Sequence, residues 1–394
     1  SSESSSIINP SYGTEIGEVL YATKETANVA VECAYEASKA WAKTGLSFRA
    51  ELILKFRQGI INRSVEIVDI CVSEAGKTRP DAEAELDRAV QALTHAAGVQ
   101  HFLPTNYSQN VAGGIDIADL RFPIGVVAGV GPFNFPILIP ILHSSMALVT
   151  GNTYIAKPSE KVPSISRLYA DIWKEAGLPD GCYNVINGEK EIVELLVRHK
   201  KVDGLAFIGS TAAAKSLKML GVEHNTKVQA LGGGKNHMIV LPDADLDMSA
   251  DAAVSASFGA AGQRCMAVSV VVAVGDIADE LISKIQLRMP DLVMGVTDDE
   301  KTQLGPVISQ VNRDRIYSFI ESAEPDGASL VVDGRHRSNS LKGCFVGPTL
   351  IDNVRPGMQV YENEIFGPVL CFVRAKTYDE AMQITPVSYT HLRA

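Results

Sequence analysis

Gly125-Val-Val-Ala-Gly-Val-Gly-Pro-Phe-Asn-Phe-Pro136 reads as a buried strand, a tight turn and the opening of a helix. From this point the chain alternates. Short β-type runs lie at Gly125–Val130, Thr153–Ala156, Tyr183–Ile186, Gly204–Ile208 and Lys227–Leu231. Helical patterns at Ser164–Ala176, Lys190–Arg198 and Thr211–Leu220 fill gaps between them. Such alternation predicts a doubly wound parallel sheet with helices on both faces. A second α/β series begins near 231, with a helix expected over Asp247–Ala261 and a strand over Val268–Val274.

Upstream, apolar residues recur at helical spacing over Glu25–Lys43, Arg49–Ser73 and Asp81–His101, so the first hundred residues read as helical. Ser1–Ser6 is polar and reads as a frayed end. Gly113-Gly114 between Tyr107–Ala112 and Ile115–Arg121 predicts a β-hairpin. The run Phe122–Ala156 has no Asp, Glu, Lys or Arg, yet Pro123, Pro132, Pro136 and Pro140 interrupt it. A membrane-spanning helix needs about 20 continuous apolar residues. Strand, turn and buried helix therefore fit the run better.

The 394 residues suffice for two or three domains with their own cores. A net charge of −10 argues against nucleic acid or an anionic membrane as partner. Cysteines at 33, 71, 182, 265, 344 and 371 form no Cys-x-x-Cys pair, and the eight histidines form no His-x-x-x-His pattern. No metal is expected, and a reducing compartment is. No basic-then-apolar leader opens the chain. The cytoplasm is the expected location, with an organelle matrix as the alternative.

Ser257-Phe-Gly-Ala-Ala-Gly-Gln-Arg-Cys-Met266 surrounds Cys265 with small residues and places Arg264 beside it. A thiol in such a setting can ionise and act as a nucleophile, whereas a lone cysteine is more often inert filler. Asn134, between two aromatics and two prolines, can offer its amide to an oxyanion. The plainer reading is a helix cap. Lys157-Pro-Ser-Glu160, with Lys161 next, follows a strand, where parallel sheets bind nucleotides; a solvated proline turn is the alternative. Gly209 and Ser210 open a helix whose free N–H groups suit a pyrophosphate, although the Gly-x-Gly-x-x-Gly fingerprint is missing. Glu362-Asn-Glu-Ile-Phe-Gly-Pro368 brings Glu364 and Phe366 to a turn, as a ribose carboxylate and a ring or as an ordinary charged turn.

In this order and at these spacings, the motifs resemble the aldehyde dehydrogenase superfamily over most of the chain. The resemblance implies a Rossmann-like NAD domain (residues 1–104 and 124–230), an oligomerisation hairpin (105–123) and a second α/β catalytic domain (231–385). It implies Cys265 as nucleophile and Asn134 as oxyanion donor. It implies Gly131, Phe133, Lys157, Glu160, Lys161, Gly209, Ser210, Gly232, Glu364 and Phe366 as NAD contacts, and a homo-oligomer, in this family a homotetramer. The family continues well past the Glu364 motif. The catalytic domain is therefore expected to be incomplete, and residues 386–394, which match nothing in the family, to be a non-native tail. The family's first short strand also finds no match here.

Members that release a free acid carry Glu-Leu-Gly-Gly-Lys ahead of the cysteine, and that glutamate activates water. Here the block is Gln229-Ala-Leu-Gly-Gly-Gly-Lys-Asn-His237, with Leu231 at the glutamate position and no carboxylate between Glu223 and Asp243. A thiol ionises far more readily than water, so coenzyme A can resolve a thioester without such a base. With Gly76-Lys-Thr and Glu85-Leu-Asp-Arg88 added, the chain is similar to the CoA-acylating branch typified by methylmalonate-semialdehyde dehydrogenase. That likeness implies an aldehyde bearing its own carboxylate, coenzyme A as co-substrate, loss of carbon dioxide, and propionyl-CoA or acetyl-CoA as product. It implies Arg88 and Arg264 as guanidinium receptors for substrate and CoA; a surface charge is the alternative for Arg88. His237 reads as structural. Glu160 favours NAD over NADP, and neighbouring Lys161 opposes that preference. Two alternatives stand beside this reading: a hydrolytic dehydrogenase using another base, and a non-catalytic nucleotide-binding protein on the same fold.

Overall fold

The computed structural model describes residues 3–103, 105–338 and 341–385. The expected non-native tail, 386–394, lies outside the described residues. Contacts divide the chain into two compact units. The first takes the described residues up to Ser6, Glu18–Ile70 and Glu83–Leu231. The second takes Ile7–Gly17, Cys71–Ala82 and the described residues from Gly232 on.

The chain opens with β1 (Ser4–Asn9) and β2 (Thr14–Leu20), which pair in a two-stranded sheet. For Ser4–Ser6 this corrects the expectation of a frayed end followed by helices alone; Ser1 and Ser2 lie outside the described residues. A Pro10–Gly13 turn joins the strands, with the Gly13 N–H donating to the Asn9 carbonyl at 2.8 Å and Gly13 at φ +69°. The expected helix Arg49–Ser73 is two helices, Leu46–Asn62 and Ser64–Ala75, because Arg63 leaves helical geometry at φ −107°, ψ 22°. The helix expected over Asp81–His101 runs Arg79–Ala97, and Gly98 sets off a short turn at Val99–Phe102. Residues 7–17 and 71–82, expected in the first domain, group with the second unit. There the Pro10 carbonyl accepts from the Cys344 N–H at 2.9 Å, and the Ser11 and Thr297 hydroxyls meet at 3.0 Å.

The hairpin is β3 (Tyr107–Ala112) and β4 (Ile115–Ala118), turned by Gly113 and Gly114; it stops short of the expected Arg121. Every residue of both strands is exposed, including Tyr107, Val111, Ile115 and Ile117.

Five parallel strands build the first unit: β5 (Val126–Val130), β6 (Thr153–Lys157), β7 (Tyr183–Val185), β8 (Gly204–Ile208) and β9 (Lys227–Leu231). Their order is β7-β6-β5-β8-β9. Val126, Ala128, Ile155 and Leu205 are buried in its core. Gly129 is required on β5, since a Cβ there would fall 1.8 Å from the hydroxyl of buried Tyr154 on the neighbouring strand. The charge-free run is β5, the helix Leu138–Val149 and β6. Among the described residues, no helix is long and apolar enough to cross a membrane.

The second unit holds β10 (Asn236–Val240), β11 (Val268–Val274), β12 (Ser329–Val332), β13 (Thr349–Asp352) and β14 (Val369–Ala375). The order is β10-β11-β14-β13-β12, parallel except for the antiparallel β12–β13 pair. β11 and β14 are central and read as near-continuous apolar runs, as strands buried on both faces do.

Glu85 fixes the start of the helix Leu138–Val149. Its carboxylate is 3% exposed and accepts from the Ile137 and Leu138 N–H groups, both at 2.8 Å. A buried anion at a helix start satisfies donors that have no intrahelical partner. Glu85→Ala is expected to destabilise the protein by about 2–4 kcal/mol by orphaning these donors, as read from the shift in urea midpoint.

Candidate active site

In the first unit β5 lies between β6 and β8, so the winding reverses between β5 and β8. Ligands of open α/β sheets bind at that reversal, outside the carboxyl ends of the strands. The structure brings the expected residues of this unit to that edge. Gly131, Phe133 and Asn134 follow β5; Lys157 ends β6, with Glu160 and Lys161 beyond it; Gly209 and Ser210 follow β8. The Gly131 N–H donates to the Lys157 carbonyl at 3.0 Å, and the Gly209 N–H to the Leu231 carbonyl at 3.1 Å, which fixes these loops to one another. Ser210 caps the helix Thr211–His224 by accepting from the Ala213 N–H at 3.4 Å. Asn134 is buried and Phe133 half-buried.

Lys157 is 5% exposed, and its ammonium lies 3.8 Å from the Glu160 carboxylate. Burial lowers its pKa, while Glu160 and then Glu189 oppose that shift. Lys161 donates its backbone N–H to the Ser159 hydroxyl at 3.3 Å. Arg88 lies on the exposed face of Arg79–Ala97, with Nη1 3.3 Å from Gln91 Oε1.

In the second unit, Cys265 is exposed on the approach to β11. The helix expected to reach Ala261 ends at Phe258. Ala260, Ala261 and Gly262 are all left-handed, at φ 49°, 53° and 69°. For the two alanines this costs about 1–2 kcal/mol each, so the surroundings must hold the turn. They do so at several points. Asp81 accepts from the Ala260 N–H at 3.2 Å through one oxygen and from Arg264 Nη2 through the other. Gly259 leaves room for that guanidinium, which a Cβ would approach to 2.6 Å. Gln263 is buried and accepts from the Ile308 N–H at 2.9 Å. The Asn236 amide donates to the Cys265 and Ala267 carbonyls at 2.8 and 2.9 Å.

The Glu364 loop meets this turn. A Cβ on Gly262 would fall 2.1 Å from the Gly367 carbonyl oxygen. A Cβ on Gly233 would fall 1.8 Å from a Glu364 carboxylate oxygen, so that carboxylate lies against bare backbone. Phe366 is left-handed at φ 56°, and Arg315 holds the loop by donating to the Glu364 and Ile365 carbonyls at 3.1 and 2.7 Å. Gly232 is exposed beside Leu231, itself 53% exposed at the end of β9. Cys265, Arg264, Glu364 and Phe366 therefore belong to one loop cluster.

Sequence reasoning missed Asp81, Asn236, Arg315 and Lys235. The Lys235 ammonium is buried and donates to the Val360 and Asn363 carbonyls at 2.6 and 2.8 Å. The residues flanking Asp81 and Asn236 were legible as motif blocks, but their partners, far away in sequence, were not. His237 donates from Nδ1 to the Lys235 carbonyl, 2.9 Å away, and packs edge-on against Tyr361, in keeping with a structural part.

The sequence profile of the aldehyde dehydrogenase family matches residues 1–391. Malonate-semialdehyde dehydrogenase 2 of Geobacillus thermodenitrificans is 40% identical over 377 residues, covering 95% of this chain and 78% of the relative. The malonate-semialdehyde dehydrogenase of Pseudomonas aeruginosa is 40% identical over 384 residues, covering 97% of this chain and 77% of the relative. The crystal structure of methylmalonate-semialdehyde dehydrogenase from Oceanimonas doudoroffii superposes with a TM-score of 0.95 at 41% identity, over 97% of this chain and 79% of that one. A protein proposed to be the same enzyme in Sinorhizobium meliloti 1021, complexed with NAD, superposes at 0.94 with 39% identity, over 97% and 78%.

Asp81 joins the strained turn to Arg264, so its loss is expected to loosen the turn before it unfolds the protein. In Asp81→Ala, hydrogen exchange over 259–266 should accelerate by roughly tenfold or more relative to the β11 core, as measured by mass spectrometry. Unchanged exchange there would remove Asp81 from this role.

Proposed function

The chain belongs to the aldehyde dehydrogenase family, and we propose that it oxidises malonate or methylmalonate semialdehyde with NAD and passes the acyl group to coenzyme A. The observation that carries the second half is Leu231. It stands where hydrolytic members of the family place their water-activating glutamate, and no carboxylate occurs between Glu223 and Asp243. The substrate class is supported by relatives named for malonate and methylmalonate semialdehyde.

The first unit fits NAD. A buried lysine without a hydrogen bond to its ammonium among the described residues, a capped helix start after β8 and a carboxylate beyond β6 are what a dinucleotide's hydroxyls and pyrophosphate require. In this reading Gly131, Phe133, Lys157, Glu160, Lys161, Gly209, Ser210, Gly232, Glu364 and Phe366 hold the cofactor. When bound, NAD supplies the hydride acceptor.

Cys265 acts as the nucleophile: its thiolate adds to the aldehyde carbon, and the carbonyl oxygen takes the negative charge. The Asn134 amide and the Cys265 N–H stabilise that oxyanion. Once oxidised, the acyl group is a thioester on Cys265. The β-carboxylate departs as carbon dioxide, and the electron pair of the broken C–C bond remains as a thioester enolate that takes a proton from solvent. The thiolate of coenzyme A then displaces the Cys265 thiolate, giving acetyl-CoA or propionyl-CoA. Arg264 and Arg88 receive the anionic groups of substrate and CoA. The protein works in the cytoplasm as a homo-oligomer, joined through residues 105–123, whose hairpin strands Tyr107–Ala112 and Ile115–Ala118 are exposed.

NADH release from malonate semialdehyde and NAD is expected to be sustained only with coenzyme A present. Equal turnover without it would overturn the acylating assignment. Leu231→Glu restores a carboxylate and should raise CoA-independent turnover by about tenfold or more, within the usual range for a general base.

A further inference from the structure

The carboxyl edge of the first unit holds a second carboxylate that none of the motifs explains. β6 and β7 are neighbours, and the Ile186 N–H donates to the Ala156 carbonyl at 2.9 Å, so the loop Ile186–Glu189 lies beside Lys157. Glu189 occupies the N-cap position of the helix Lys190–Arg198, yet its side chain makes no capping bond. Instead Glu189 Oε1 accepts from the Tyr21 hydroxyl at 3.1 Å. The same loop is pinned where the Ala22 N–H donates to the Asn187 carbonyl at 2.9 Å. Burial raises the Tyr21 pKa most, a hydrogen bond with the Ser5 side chain opposes that rise, and Glu189 and then Glu160 add to it, so both carboxylates act on this hydroxyl. Both also act on Lys157.

Two further observations mark the place as built for a ligand. Lys157 is 5% exposed, and its ammonium has no hydrogen bond among the described residues. Asn187 Oδ1 is buried and likewise accepts none there. Lys190, the nearest cation in sequence to Glu189, turns to its own helix and pairs with Glu194 at 3.6 Å. The segments that carry Lys157 and Glu189 bring two lysines, Lys157 and Lys161, and two glutamates, Glu160 and Glu189, to this edge. The edge then has no net positive charge with which to receive a further phosphate. Without Glu189, one positive charge would be left over.

We infer that Glu189, held in place by Tyr21, is a second specificity-determining residue, which acts with Glu160 to admit a dinucleotide with a free 2′-hydroxyl and to reject one carrying a 2′-phosphate. The inference rests on the NAD reading above. It answers the objection posed by Lys161: Glu189 neutralises the charge that Lys161 would otherwise offer a phosphate. Tyr21 matters because an unrestrained glutamate at an exposed N-cap would swing towards its own helix N-terminus.

The test is calorimetric titration of the full chain with NAD, NADP, 5′-AMP and adenosine 2′,5′-bisphosphate, which needs no turnover. Wild type should bind NAD more tightly than NADP, and 5′-AMP more tightly than the bisphosphate. In Glu189→Gln the ratio of the two dissociation constants should fall by about tenfold in each pair, as loss of one nearby charge predicts. The gain should lie mainly in tighter binding of the 2′-phosphate forms. Adding Lys161→Ala to that variant should reverse the gain. Tyr21→Phe, which keeps the charge but frees it, should give a smaller shift in the same direction. Unchanged ratios in folded Glu189→Gln and Tyr21→Phe would overturn the inference while leaving NAD binding intact. Failure of the wild-type chain to bind either NAD or 5′-AMP would overturn the reading beneath it, and the inference with it.

Discussion

The contact between Gly262 and the Gly367 carbonyl governs the second unit's loop cluster. A single methyl group there would come within 2.1 Å of the carbonyl oxygen. Two backbones can approach this closely only when neither carries a side chain between them. The approach explains the small residues before Cys265, which otherwise look like mere lack of bulk. It also explains the strain. Ala260, Ala261 and Phe366 all adopt left-handed geometry that L-residues avoid. Each is held by groups outside its own segment: Asp81 on one loop and Arg315 on the other. A turn that requires several independent restraints is one whose position matters more than its stability.

The first unit reaches precision differently. Its edge residues sit on unstrained elements, at the ends of strands whose register is set by buried apolar contacts and by Tyr154 lying over Gly129. Backbone bonds from Gly131 to Lys157 and from Gly209 to Leu231 then join successive loops. Changes in the first unit's core should therefore move the edge as a body, whereas changes around Gly262 should act locally.

Much of this was legible in sequence because short β-type runs ended by glycine or proline alternate with helical patterns; β5, β8 and β11 are apolar runs with glycine after them, while the edge strand β9 is mostly exposed. β5, β6, β8, β9 and β11 begin and end within a residue or two of their expected bounds. What escaped was of two kinds. Short polar strands such as Ser4–Asn9 carry too little periodicity to be told from a frayed end. Long-range polar pairs, such as Asp81 with Arg264 or Glu85 with the Ile137 N–H, leave no trace in local pattern. Glu85 is instructive: the Glu85–Arg88 block was legible as a branch resemblance that gave this carboxylate no part, and its position is that of a helix anchor. The left-handed run at Ala260–Gly262 was also hidden, since alanines inside an apolar segment favour the helix that the periodicity predicted.

Two buried lysines differ in what receives their charge. Lys157 and Lys235 are almost equally buried, at 5% and 6% exposure, and burial lowers the pKa of both. Desolvation alone cannot tell them apart. The Lys235 ammonium donates to two backbone carbonyls, so its charge is solvated by the fold, and its removal would orphan both acceptors. Among the described residues the Lys157 ammonium has a carboxylate at 3.8 Å, beyond hydrogen-bond distance, and no hydrogen bond. A cation left in that condition is costly to the folded state, and the cost falls when a ligand's hydroxyls complete its coordination. Conservation of charge by Lys157→Arg would thus not preserve its role, because a guanidinium is larger and presents a planar fork. On the function proposed above, the Lys157 charge waits for a ligand, whereas the Lys235 charge is already taken up by the Val360 and Asn363 carbonyls.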